Sequence, residues 1–191
     1  MVAAVPQTTA DERSLYSIFA DLFDYPSEGF KGVVQECIDA LLNHPEYPNE
    51  AIDNVRKFQE KVKDMDLDEI EENYSYTFEF APDYTLDLGH HLYDGFKRST
   101  TLLTIKTMYR KHGFPIDEVS KGDLPDKLTF VLRFIDMVGK DSPLGNDFRA
   151  DFLIKALEKI DKAFEQKGME NLFSNLERAL YIVVDTDVKS S

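Results

Sequence analysis

The sequence predicts an all-α fold, a single-domain bundle of about eight helices. Apolar residues recur at intervals of three and four along nearly the whole chain, and no segment shows the alternation of a half-buried strand. The connections are short, and the longest irregular stretches lie at 80–94 and 113–123. Because short connections favour neighbouring helices of one bundle, we expect one domain over residues 9–185, between flexible segments at 1–8 and 186–191.

The first four predicted helices are marked by caps and by breaks between them. Thr9 and Glu12 form a capping box that opens the first helix, and Pro26 follows its end. Asp66 and Glu69 open the fourth helix in the same way. The apolar positions of the four helices are Leu15, Phe19, Leu22 and Phe23; Val33, Val34, Cys37, Ile38, Leu41 and Leu42; Ile52, Val55, Phe58 and Val62; and Leu67, Ile70, Tyr74 and Phe78.

The last four predicted helices follow the irregular passage around Pro82. Gly113 is placed to end the fifth, Pro125 fits the first turn of the sixth, and Gly168 ends the seventh. Their apolar positions are Phe96, Leu102, Ile105 and Tyr109; Leu124, Leu128, Val131, Leu132, Ile135 and Val138; Phe148, Phe152, Leu153, Leu157, Ile160 and Phe164; and Leu172, Leu176, Leu180 and Val183.

Composition and charge exclude several classes of partner. The formal net charge of −14 repels phosphate backbones and anionic lipid, so we expect no nucleic-acid partner. No apolar run approaches the roughly 20 residues of a membrane helix, and we expect no stable membrane insertion. The N-terminus lacks the basic start of a secretory leader. The single cysteine, Cys37, lies in an apolar stripe and fits a reducing, cytoplasmic compartment.

Residues that could carry out catalysis are sparse. The sequence has no zinc-ligand motif, no nucleophile elbow and no glycine-rich phosphate loop. Asp87, His91 and Asp94, at positions i, i+4 and i+7, are the one plausible metal-binding face. No motif nominates active-site residues, although an enzyme stays possible on these grounds. We expect no metal or cofactor, with a metal-dependent helical hydrolase using these three residues as the alternative.

Five aromatic residues crowd into the stretch 74–84. Tyr74 and Phe78 are spaced as one helical face, and Tyr76 and Phe80 as a second. A helix that is apolar on two faces either runs through the core of a bundle or lines a groove. The acidic charge would attract a cationic peptide to such a groove.

Four segments occur in an order that resembles the NarJ/TorD family of redox-enzyme maturation chaperones, closer to the NarJ (nitrate reductase delta subunit) branch. They are LYSIFADLFDYPSEGF (15–30), YSYTFEFAPDYTLDLGHHLYDGFKRS (74–99), LLTIKTMYRKHGF (102–114) and GDLPDKLTFVLRFI (122–135). The last is similar to the family's Glu-x-Pro-Asp-His-Leu motif, with Asp123 and Lys127 in place of its glutamate and histidine. Gly89 stands where a glutamate is common.

The resemblance implies a cytoplasmic, all-helical chaperone without catalytic activity. Such a protein binds the N-terminal or leader segment of the catalytic subunit of a molybdopterin-containing oxidoreductase. It holds that subunit for cofactor insertion and assembly, before membrane attachment or export. We expect a monomer or weak dimer and a peptide-binding site formed by Tyr16, Tyr74, Phe78, His91, Tyr93, Arg98, Pro125 and Asp126.

Overall fold

The computed structural model describes residues 13–191, and this part of the chain is helical without a β-strand. The helices are α1 (Leu15–Leu22), α2 (Phe30–Asn43), α3 (Asn49–Val62), α4 (Leu67–Tyr74), α5 (Leu88–Leu92), α6 (Gly95–Lys111), α7 (Ile116–Val119), α8 (Leu128–Val138), α9 (Pro143–Phe148), α10 (Ile154–Lys167) and α11 (Ser174–Ser190). Two π-helical turns, Ser75–Glu79 and Arg149–Leu153, extend α4 and join α9 to α10, and a 3-10 turn spans Pro82–Tyr84. The predicted all-α class is confirmed.

The helices pack around one apolar core. α1 lies against α2 and α8, α3 lies against α2 and α11, and α10 packs on α11 and α5. Aromatic rings fill much of the interior: the Phe173 ring centroid lies 5.5 Å from that of Phe58, 5.8 Å from Tyr74 and 5.0 Å from Phe78. Cys37 is fully buried, and burial raises the pKa of its thiol. It acts as a small apolar side chain, as its spacing predicts.

Two predicted helix-end signals, which depend only on residues close together in the sequence, are confirmed. The Glu69 amide donates to the Asp66 carboxylate over 2.9 Å, and the Asp66 amide donates to the Glu69 carboxylate over 2.9 Å, which is the predicted capping box of α4. Gly113 follows α6 with a φ of +79°, a conformation that glycine adopts without strain. The capping box predicted at Thr9 and Glu12, like the predicted flexible segment 1–8, lies outside the described residues.

Several sequence predictions differ from the structure. The sixth predicted helix begins at Leu128 rather than Leu124, because the preceding backbone bonds to residues 86–88 instead of continuing the helix. Phe96 and Leu42, each predicted on an apolar helix face, are 87% and 53% exposed. The segment 186–191, predicted as a flexible tail, is helical through Ser190, and it carries the buried Asp187.

No helix within residues 13–191 combines the length and the apolar character that crossing a bilayer requires.

Candidate peptide-binding site

The π-helical turn after α4 separates the aromatic segment into a core pair and a surface pair. Tyr74 and Phe78 are buried, whereas Tyr76 and Phe80 are 71% and 77% exposed. A π-turn widens the helix locally and often occurs at functional sites. Two large aromatic side chains on one short surface segment are an unusual exposure of apolar area.

The buried pair belongs to the bundle core. The Tyr74 hydroxyl donates to the Phe23 carbonyl over 3.0 Å, and burial raises the pKa of this phenol. The Tyr74 and Phe78 ring centroids are 5.1 Å apart, in an edge-to-face arrangement. With only 3% and 5% of their surface exposed, these two predicted site residues present almost nothing to a ligand.

The exposed pair lies beside a groove of about 510 Å³. Tyr84 forms part of its wall, and its ring stacks on Phe164 with the centroids 4.2 Å apart. The groove is lined by Asn73, Tyr76, Phe80, Ala81, Tyr84, Lys167, Gly168, Glu170, Asn171 and Leu172. Tyrosine and phenylalanine at the edge of a groove suit an apolar peptide face whose rim remains in water.

A strongly acidic stretch surrounds these aromatic residues. Residues 64–87 contain nine aspartates and glutamates and no lysine or arginine. A second cleft, of about 220 Å³, is lined by Tyr74, Phe78, Glu79, Thr85, Leu86, Asp87, Asp123 and Lys127. Lys127 Nζ lies 2.7 Å from the Asp123 carboxylate. Since three carboxylates face one ammonium group, this cleft carries excess negative charge. We use "acidic aromatic surface" for residues 64–87 with Asp123.

Asp126 holds the turn that closes this cleft. Its side chain is fully buried, and its Oδ2 accepts a hydrogen bond of 2.8 Å from the Gly89 amide. Its backbone carbonyl accepts from the Leu88 amide over 3.1 Å, and the Leu128 amide donates to the Leu86 carbonyl over 2.8 Å. Asp126 therefore fixes residues 86–89 against the start of α8.

Gly89 has no room for a side chain. A Cβ atom there would lie 2.6 Å from Asp126 Oδ2 and 3.9 Å from Arg98 Cγ. This is the physical reason that glycine stands at a position where the resemblance leads one to expect glutamate. Pro125 is half-buried beside this turn.

Arg98, on α6, lies beside this turn. Its guanidinium is 3.8 Å from the Asp87 carboxylate. Burial raises the pKa of both Asp87 and Asp126, and Arg98 opposes that shift in each. Asp94 is the N-cap residue of α6, although its side chain makes no capping hydrogen bond within the described chain.

His91 and Tyr93 lie on the same turn. His91 Nε2 is 2.8 Å from the Thr85 carbonyl, and burial lowers the pKa of the imidazole, so it is neutral near pH 7. The ammonium group of Lys97 lies 4.8 Å from the Tyr93 ring centroid. Among residues 13–191, no group of three or more histidine, cysteine, aspartate or glutamate side chains is arranged to hold a metal ion.

Tyr16 lies in a different environment from the other predicted site residues. It is buried in α1, and its hydroxyl donates to Asp187 Oδ2 over 3.0 Å. Burial and the Asp187 charge raise the pKa of this phenol.

The structure thus brings together His91, Tyr93, Arg98, Pro125 and Asp126 at one turn, with Tyr74 and Phe78 in the adjacent core. Sequence reasoning did not include Tyr76, Phe80, Glu79, Asp87 or Asp123 in the peptide site. The second aromatic line was visible in the sequence, but its exposure was not.

Neither the known family models nor the curated proteins with which the sequence was compared give a match.

Proposed function

We propose that this protein is a chaperone that binds the N-terminal segment of the catalytic subunit of a molybdenum oxidoreductase. The observation that carries the proposal is the exposure of Tyr76 and Phe80 on a stretch with nine acidic residues and no basic one. Exposed aromatic side chains provide apolar area for a partner, and the surrounding carboxylates select a cationic one.

A basic amphipathic peptide matches this surface in both respects. As a helix, it would place its apolar side chains on Tyr76, Phe80 and Tyr84 and direct its lysines or arginines toward Glu79 and Asp87. The ordered family-like segments support the choice of client, because residues 74–87 of the acidic aromatic surface belong to the second of these segments. Asp126, in the fourth segment, anchors the turn beside it.

The mechanism is retention of an immature chain without a covalent step. A ligand that binds one state of the client favours that state by mass action, so the bound leader delays folding or export until cofactors have been inserted. The chaperone would act in the cytoplasm, without a cofactor of its own, and would release the client when the mature fold withdraws the leader segment.

The test is a calorimetric titration with N-terminal peptides from the molybdenum-enzyme catalytic subunits of the same genome. We expect one peptide to bind with micromolar or tighter affinity, and we expect salt to weaken the binding because the attraction is electrostatic. A peptide of the same composition in scrambled order is the control, since it keeps the charge and loses the amphipathic pattern. Equal affinity for both peptides, or failure of every native peptide to bind, would contradict the proposed function.

A further inference from the structure

α6 has the opposite charge from the acidic aromatic surface. The stretch 95–116 contains five lysines and arginines and no acidic residue, in a chain whose formal net charge is −14. The two oppositely charged stretches are separated by only seven residues of sequence, 88–94. They meet within one molecule through the pair formed by Arg98 and Asp87.

α6 also exposes apolar side chains. Phe96 and Leu103 are 87% and 65% exposed, and their spacing of seven residues places them on one helix face. Thr100 and Thr107 lie on the same face, and their hydroxyls donate to the carbonyls four residues earlier over 3.0 Å and 2.8 Å. Because those hydroxyls bond within the helix, the face presents methyl groups, an aromatic ring and an aliphatic side chain.

Only a small part of α6 is anchored in the core of the molecule. Ile105 and Tyr109 are its buried residues in the described structure. Lys106 and Arg110 both contact Asp117, at 2.8 Å and 2.6 Å. These pairs are half-exposed, and such pairs contribute little to stability and exchange readily with other partners.

From these observations we infer that α6 of one molecule docks on the acidic aromatic surface of a second copy. α6 has the chemistry expected of the client leader: it is a helix with lysine and arginine side chains beside exposed aromatic and aliphatic groups. The acidic aromatic surface supplies carboxylates and the exposed rings of Tyr76 and Phe80. Charge and apolar character are therefore complementary between two surfaces that every copy carries.

A two-fold arrangement satisfies both surfaces of each copy at once. Each molecule then contributes its α6 to its partner and receives the partner's α6, so the contact closes as a dimer rather than a filament. The inference rests here on the proposed function, because the partner's α6 and the client leader occupy the same surface. Dimerisation therefore competes with client binding. When no client is present, the dimer covers Tyr76 and Phe80.

The test is sedimentation velocity of the full chain at low and high protein concentration. We expect reversible dimerisation that weakens with salt and is abolished by Leu103→Glu. Leu42→Glu is the matched control, because Leu42 is 53% exposed on α2, outside both surfaces, and this variant should dimerise like the unmodified protein. The double variant Tyr76→Ser/Phe80→Ser should also be monomeric.

Mixing the two monomeric variants is the sharpest test of the geometry. The Leu103→Glu molecule retains the receiving surface, and the Tyr76→Ser/Phe80→Ser molecule retains α6, so one of the two contacts can form in the mixture. We expect the mixture to associate although neither variant does so alone. A mixture that remains monomeric, a dimer that Leu103→Glu leaves intact, or a protein that is monomeric at every concentration would overturn the inference.

The same experiment separates this inference from the proposed function. A leader peptide that binds and dissociates the dimer supports both. A peptide that binds without affecting the dimer overturns the shared surface but leaves peptide binding standing. If no peptide binds and the variant mixture still associates, the self-association stands while the chaperone function fails.

Discussion

Replacement of Asp187 by alanine is expected to lower the free energy of unfolding by about 3–5 kcal/mol. Asp187 is buried in α11 at the centre of a polar network, which contains Tyr16, Tyr47, Lys140 and Arg149. The Asp187 carboxylate accepts hydrogen bonds from both tyrosines and from Lys140, at 3.0, 3.1 and 2.8 Å, and its distance to the Arg149 guanidinium is 3.5 Å.

The size of the effect follows from what the substitution leaves behind. Arg149 is fully buried, and without Asp187 its charge would have no ionic partner among the contacts described for it. A buried charge without its counter-ion costs much more than the loss of an ordinary hydrogen bond. Asp187 also holds the pKa of Lys140 above its usual range, and burial together with Asp187 raises the pKa of Tyr47 to about 12.

Urea-induced unfolding measured by circular dichroism checks this prediction. Asp185→Ala is the matched control on the same helix, because its partner is the exposed Lys189 four residues on. We expect that control to stay within about 0.5 kcal/mol of the unmodified protein. A loss below about 1 kcal/mol for Asp187→Ala would show that the network does not hold a buried charge.

The second large effect concerns pH. Glu177 is fully buried, close to the Asp161 carboxylate. Burial, followed by the nearby Asp161 charge, raises the pKa of Glu177 well above its usual range. The folded protein therefore binds this proton more tightly than the unfolded chain does.

The sign of the pH dependence follows from that difference. Below the ordinary glutamate pKa both states are protonated, and the contribution of Glu177 to stability is fully present. As the pH rises from there toward the raised pKa, the unfolded chain ionises first, and stability falls by up to about 1.4 kcal/mol per pH unit. Burial also raises the pKa of Asp161, which acts in the same direction.

Glu177→Gln removes this titration and keeps the shape of the side chain. We expect the variant to be more stable than the unmodified protein near pH 8, with the difference shrinking toward pH 5. Unfolding in urea at several pH values measures this difference, and Glu118→Gln on the exposed surface of α7 is the control. Parallel stability profiles for Glu177→Gln and the unmodified protein would contradict the assignment of a neutral, buried Glu177.

The sequence predicted those features that depend on neighbouring residues. Helical spacing and caps identify the all-α fold, the capping box of α4 and the end of α6. The start of α8 was misplaced because the Leu128 amide bonds to the Leu86 carbonyl, far away in the sequence. Likewise, Tyr16 bonds to Asp187, which is 171 residues away in the sequence, and no local sequence pattern predicts that contact.

In the candidate site, too, the sequence predicts the local pattern but not which residues are buried. Both aromatic lines, Tyr74 with Phe78 and Tyr76 with Phe80, have identical spacing, so the sequence could not decide which one faces the core. Packing against Phe173 decides it, since that ring contacts both Tyr74 and Phe78. The predicted peptide site therefore included core residues, whereas the exposed residues Tyr76 and Phe80 were not part of it.

The central claim is that the exposed residues Tyr76 and Phe80 bind the leader peptide. One calorimetric comparison tests this claim most directly. The unmodified protein, Tyr76→Ser/Phe80→Ser and the surface control Leu42→Ser would be titrated with the native peptide that binds most tightly. Truncation of a single aromatic anchor at the centre of an interface costs about 2 kcal/mol, which is about 30-fold in affinity, so we predict a loss of about 30-fold or more for the double variant. The affinity of Leu42→Ser for the peptide should equal that of the unmodified protein, and all three proteins should show the same stability. Equal affinity in the double variant and the unmodified protein would contradict the account.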